Sequence, residues 1–177
     1  MNWKDKFKIV SSCLETNEEI EQDFYIKDIG ASDAAISLIH QKYLFLPQDY
    51  FDFLRVTDGA DIAQCRLFGS TKYIRASEIY TEVYPEETWF VFGAESGGDP
   101  LLIGCTGKVI IGAGKSYSGE FELLPNSFSD FLSEVIMGPK YPMIFGIKES
   151  GFSAFVKAEE KEDPWLAFLI ERKWLTI

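Results

Sequence analysis

Trp3, Phe7, Val10 and Leu14 recur every three to four residues, with Lys4, Lys6 and Lys8 between them. That spacing follows the helical turn and predicts an amphipathic first helix whose apolar stripe needs a surface to cover. The acidic run ETNEEIEQDF interrupts the pattern, as a solvated face or loop does. Helical spacing resumes in GASDAAISLIHQKY, where Ser32 or Asp33 can accept the first free amide protons and Ile36, Ile39 and Tyr43 form the buried face. In LPQDYFDFLRVTDGADI a third helix is predicted, with Pro47 in its first turn and Tyr50, Phe51, Phe53 and Leu54 as its stripe. Asp58-Gly59 is expected to end it where a left-handed residue is required.

Beyond residue 60 the period shortens. CRLFGS reads as a short strand and SEIYTEV as a helical turn opened by Ser77. Four short strands are then predicted at Trp89 to Phe92, Leu101 to Cys105, Lys108 to Ile111 and Glu120 to Leu124, separated by glycine-containing turns. Spacing this close leaves no room for crossover helices, so the strands should pair mainly antiparallel. In the Gly-Gly-Asp-Pro turn, Gly97 and Gly98 are suited to positive φ, Asp99 to bonding its own backbone, and Pro100 to starting a strand. PNSFSDFLSEVIMG carries an Asn126 or Ser127 cap, an apolar face of Phe128, Phe131, Leu132, Val135 and Ile136, and Gly138 past the end, which together predict a helix over the sheet. The tail is expected to hold one or two strands, a charged turn, and a last helix capped by Asp163, begun by Pro164 and lined by Trp165, Phe168, Leu169 and Arg172. No repeat or linker divides the 177 residues, and one domain is expected.

With 46% hydrophobic and 15% aromatic residues, the chain can fill one full core. Its formal charge of -11 repels phosphate backbones, which argues against direct nucleic-acid binding and favours a basic protein partner, although solubility alone also explains acidity. Cys13, Cys65 and Cys105 are odd in number, far apart and without a CxxC pair, so reduced core thiols are expected rather than disulfides or a zinc knuckle. Lys6 and Lys8 interrupt what would be the apolar part of a signal peptide, and no apolar run approaches the ~20 residues needed to cross a bilayer. A cytoplasmic protein without membrane attachment is the expectation.

The candidate chemistry is thin. VIIGAGKS ends like a phosphate loop, but the required first glycine falls on Val109, and no helix can begin before Gly119 and Pro125. Gly112 and Gly114 start a dinucleotide fingerprint whose third position is Tyr117. Any zinc site or nucleophile triad must pass through His40, the single histidine, which sits mid-helix without an HExxH neighbour. Glu95 and Asp99 share one loop and could form a carboxylate pair for hydrolysis or hold a small molecule, in a chain where acidic pairs are plentiful. No catalytic set, metal site or cofactor is expected, and no enzymatic activity.

Taken in order, SDAAISLIHQKYLFLPQDYFDFLRVTDGADI, FVFGAESGGDPLLIG, GKVIIGAG and NSFSDFLSEVI resemble the SMI1/KNR4 family of the SUKH superfamily of immunity proteins. The matching features are Leu46-Pro47 with Tyr50, Phe53-Leu54 before Asp58-Gly59, the turn of Gly97, Gly98 and Asp99, and the helix of Phe128, Phe131 and Leu132. The family's usual Asn-Gly is Asp58-Gly59 here, and the resemblance covers about residues 30 to 137, leaving 138 to 177 as a family-variable extension. It implies an α+β fold with a central mixed, mainly antiparallel sheet flanked by helices. It also implies a non-enzymatic binding role: bacterial relatives are thought to neutralise toxins, often nucleases, and fungal relatives serve in cell-wall regulation. A toxin-neutralising immunity protein is therefore the leading expectation, with a regulatory scaffold for a cellular protein as the alternative. The expected partner-binding residues are Glu86, Glu87, Glu95, Asp99, Glu120 and Glu122, with Tyr84 and Tyr117 as aromatic anchors.

Overall fold

A computed structural model of the chain describes residues 1–14, 16–27, 29–71, 88–112, 124–145 and 163–176. The predicted turn at Ser77, residues 120–123 of the predicted strand at Glu120 to Leu124, and part of the tail lie outside them.

Helix α1 (Trp3–Leu14) buries Trp3, Phe7 and Val10 along the stripe that the period predicts. A single 3-10 turn (Glu18–Ile20), capped by the Asn17 side chain, occupies the acidic run before strand β1 (Phe24–Ile26). Helix α2 (Asp33–Lys42) starts at Ser32, whose hydroxyl accepts the Ala35 amide proton, and buries Ile36 and Ile39. Helix α3 (Gln48–Val56) starts after Pro47, which is its cap rather than part of its first turn. The helix closes at Thr57 in extended geometry. Gly59, with φ +108°, then turns the chain into β2 (Ala60–Ile62), so the left-handed residue serves the sheet entry and not the helix end.

Strands β3 (Cys65–Leu67), β4 (Trp89–Glu95), β5 (Pro100–Gly104) and β6 (Val109–Ile111) complete a six-stranded sheet in the order β1-β2-β3-β4-β5-β6, every neighbouring pair antiparallel. No parallel pair is present among the described residues, where a mixed sheet was allowed for. Along β4 the register slips between Val91 and Gly93, leaving Phe92 as a bulge. A bulge places two successive residues on one side of a strand. Phe90 and Phe92 enter the main core by ordinary strand alternation, and the bulge turns Gly93 to that side as well, where, opposite Leu101, it must stay bare: a Cβ there would lie 2.5 Å from the Arg66 carbonyl oxygen. Trp89, Val91, Leu102 and Ile110 form a smaller buried cluster on the other face, with Phe68 packed against it.

Across the main face, helix α4 (Phe128–Asp130) opens with Ser127 accepting the Asp130 amide proton and runs directly into π-helical turns (Phe131–Ile136). Phe128, Phe131, Leu132, Val135 and Ile136 are all fully buried, and the Met137 amide donates to the Leu132 carbonyl five residues back. Gly138 ends the segment by close approach, since a Cβ would meet the Ser133 carbonyl at 2.4 Å, and not by positive φ. Helix α5 (Tyr141–Phe145) stands where the tail's strands were expected to begin. Helix α6 (Pro164–Glu171) is capped as predicted, Asp163 accepting from the Leu166 amide and from the Tyr141 hydroxyl. Trp165, Phe168 and Leu169 are buried, and Arg172 follows the helix, its guanidinium over the Phe168 ring and in contact with the Cys13 sulfur.

The apolar residues that carry the family resemblance, Leu46, Tyr50, Phe53, Leu54, Phe128, Phe131 and Leu132, are core residues, whereas Gly97 and Gly98 are exposed in the hairpin turn. Phe128 sits edge-on to Tyr50, Phe53 and Phe92, and Tyr50 to Phe90, in the geometry that aromatic quadrupoles favour. The chain of rings extends through Phe7 and Phe24 to Trp165, so α1, β1 and α6 share this core with the central segment.

Lys6 departs from the sequence pattern. Its period assigns it to solvent, yet it is 6% exposed, donating to the Ser133 and Met137 carbonyls at the end of the π-helical turns and lying 4.8 Å from the Trp174 ring centre. Helix ends expose carbonyls that attract cations, and a lysine from α1 meets that need here. Burial pulls its ammonium down to about 8, while the Glu134 charge pushes the other way.

Candidate functional site

The loop nominated from sequence is a β4–β5 hairpin turn closed by its own atoms. The Glu95 amide donates to the Asp99 carbonyl (2.8 Å), the Gly98 amide to the Glu95 carbonyl (2.9 Å), and the Asp99 amide to the Glu95 carboxylate (2.9 Å). Glu95 therefore braces the turn that Asp99 was expected to hold. Of the two glycines only Gly98 takes positive φ, +94°, while Gly97 leaves room for the Glu95 carboxylate, whose Oε1 would stand 2.7 Å from a Cβ. Across the sheet Glu95 faces Cys65, and burial followed by that negative charge pushes the Cys65 thiol well up. Tyr84, Glu86, Glu87, Tyr117, Glu120 and Glu122 lie outside the described residues, so Glu95 and Asp99 are the placed members of the expected set.

His40 is exposed on α2 with its ring 5.3 Å from Phe51. Cys13 and Cys65 are buried, but Cys105 is exposed in the turn after β5, against the expectation of three core thiols. Among the described residues no group of three or more His, Cys, Asp or Glu side chains is placed to hold a metal ion, and no helix is long and apolar enough to cross a membrane.

A different concavity is built where β1, β2 and β3 turn their second face outward. The register aligns Tyr25, Asp61 and Arg66 in one row across the three strands. Lys27, two residues beyond Tyr25, shares their face. Between these side chains opens a cleft of about 270 Å³ whose inner surface includes Gly59, Ala60, Leu67, Phe68 and Gly69. Its floor is fixed by two glycines: Gly59 needs φ +108°, and a Cβ on Gly69 would fall 2.2 Å from the Asp58 carbonyl oxygen.

The charges around the cleft are paired unevenly. Arg66 Nε donates to Asp61 Oδ1 at 2.8 Å, and that bond holds the guanidinium pKa above its usual value. Asp58 gives one oxygen to the Ser70 amide, while its other stands 3.9 Å from Lys27 Nζ, beyond hydrogen-bonding distance. Thr57 supports the floor from below, its hydroxyl accepting the Lys27 amide proton and donating to the Gly59 carbonyl. Sequence reasoning missed the cleft. The signal was the alternation Ala60-Asp61-Ile62 and Cys65-Arg66-Leu67, which puts Asp61 and Arg66 together on the outer face once the segments pair.

No curated protein matches the chain. A sequence model of the SMI1 / KNR4 family (SUKH-1) matches residues 30–134, which run from the approach to α2 to the π-helical turns and hold every landmark of the resemblance. The match leaves out β1, so Tyr25 and Lys27 on one wall of the cleft stand outside it, while Asp58 to Thr71 stand inside. With more than half of its length matched and the expected α+β architecture around a six-stranded antiparallel sheet, the chain belongs to the SMI1 / KNR4 (SUKH-1) family.

Proposed function

We propose that this chain is a non-enzymatic binding module that acts in the cytoplasm and neutralises a cognate basic toxin, of the nuclease class for choice, by occupying its working surface. The observation that carries the reading is the family match over residues 30–134. The physical support is charge. A nuclease needs a cationic surface for its substrate, and a chain of formal charge -11 is drawn to such a surface and competes with the phosphate backbone for it. The apolar family landmarks are spent on the core, which leaves recognition to surface residues that can differ among relatives without disturbing the fold.

The test is co-expression with the toxin encoded beside the gene. Cells carrying both should grow where cells carrying the toxin alone die, and the purified complex should weaken as salt is raised. Loss of protection against every neighbouring toxin would refute the reading.

A further inference from the structure

The geometry points to the cleft on the outer face of β1–β3 as the seat for one lysine or arginine side chain of a basic protein partner, with Tyr25 and Asp61 as its principal contacts. This rests on the reading of the chain as a binder of basic proteins.

Size comes first. A volume of about 270 Å³ falls below the ~300–1,000 Å³ of sites that enclose small-molecule ligands, but it accommodates a single long side chain. The walls suit such a side chain. Partly buried Phe68 offers apolar surface for an aliphatic stem, and the Tyr25 ring, 59% exposed, offers a face for a cation.

Charge decides the sign. Lys27 and Arg66 are balanced locally by Asp58 and Asp61, so the four groups favour neither a cation nor an anion by count. Asp61 spends one oxygen on Arg66 and its second has no partner among the described residues, and the Asp58–Lys27 pair is loose enough for a guest cation to replace Lys27. The whole-chain charge of -11 then adds a field that attracts cations and resists carboxylates. The floor, set by Gly59 and Gly69 at positions where a side chain would be strained or would clash, is in place before the guest arrives, so little ordering opposes binding.

Titration calorimetry of the full chain with an acetylated hexa-arginine peptide, at about 0.15 M salt, tests the assignment. Tyr25→Ala and Asp61→Asn should each weaken binding about fivefold, the size of an exposed cation–π or ion-pair contact. Glu171→Gln, which removes the same unit charge from exposed α6, should change it less than twofold, and Lys27→Ala should tighten it. Equal effects of Asp61→Asn and Glu171→Gln, weaker binding by Lys27→Ala, or tighter binding of a hexaglutamate peptide would overturn the proposal. The toxin assay separates the two readings. If the wild-type chain protects and Tyr25→Ala/Asp61→Asn protects equally, the cleft assignment falls and the toxin reading stands. If the wild-type chain fails to protect while the peptide still discriminates the variants, the reverse holds.

Discussion

Replacing Lys6 with Met exposes the balance struck at the end of the π-helical turns. The ammonium of Lys6 titrates at about 8 instead of 10.5 because it is buried. The folded chain thus holds this proton less tightly than the unfolded chain, and between about 8 and 10.5 the unfolded chain binds more protons, so stability rises with pH across that window. Between pH 7 and pH 10 the gain attributable to Lys6 is roughly 2.5 kcal/mol, at ~1.4 kcal/mol per pH unit. Lys6→Met removes it, along with two hydrogen bonds to carbonyls worth roughly 1.5–3 kcal/mol each when charged. At pH 7 the lost bonds and the relieved burial largely offset each other, and the variant should be about 1 kcal/mol less stable. At pH 10 the deficit should widen to roughly 3–4 kcal/mol. Urea denaturation of both chains at pH 7, 8, 9 and 10 reads this directly, because every other titration is common to the pair. With a slope of ~2 kcal/mol per molar urea, the midpoints should separate by more than ~1 M between the two extremes. A separation that stays constant with pH would refute the reasoning and return Lys6 to solvent.

Four further substitutions test the frame around the sheet. Gly93→Ala places a Cβ against the Arg66 carbonyl and should cost about 1–3 kcal/mol in a denaturant melt, with no change in slope. Glu95→Ala should cost about 1 kcal/mol by releasing the Asp99 amide, whereas Asp99→Asn should be nearly silent in the same melt, the reverse of what the sequence alone suggests. Asp163→Ala removes both the α6 cap and the partner of the Tyr141 hydroxyl and should cost about 2 kcal/mol, read as a lower thermal midpoint.

Much of this architecture is written in local chemistry. The caps at Ser32, Ser127 and Asp163 sit at the first residue outside a helix with an oxygen to offer, and strands β4 to β6 carry apolar runs cut by turn residues. Strands β1 and β2 escaped because Phe24 follows an acidic run and Ala60 follows a turn signal, so neither short segment stands out from its surroundings. Their pairing with each other joins residues 24 to 26 with 60 to 62, a long-range choice that no local pattern states. The burial of Lys6 has the same origin: its partners are carbonyls more than a hundred residues away, and the backbone offers no side-chain signature of a π-helical turn. Of the candidate site, the sequence foresaw the hairpin turn at Glu95 to Asp99 but assigned its brace to the wrong carboxylate. The cleft depends on registers between β1, β2 and β3, so it could be seen only after folding.

The meeting of Lys6 with Met137 and Trp174 sets a timetable for synthesis. At roughly 5–20 residues per second, a ribosome delivers Trp174 about 10–30 s after Lys6. Through that interval the stripe of Trp3, Phe7 and Val10 lacks its final cover, and twelve residues of isolated helix are too few to persist in water. Until residues 137 and 174 have been made, α1 therefore offers an amphipathic face without the partners that bury Lys6.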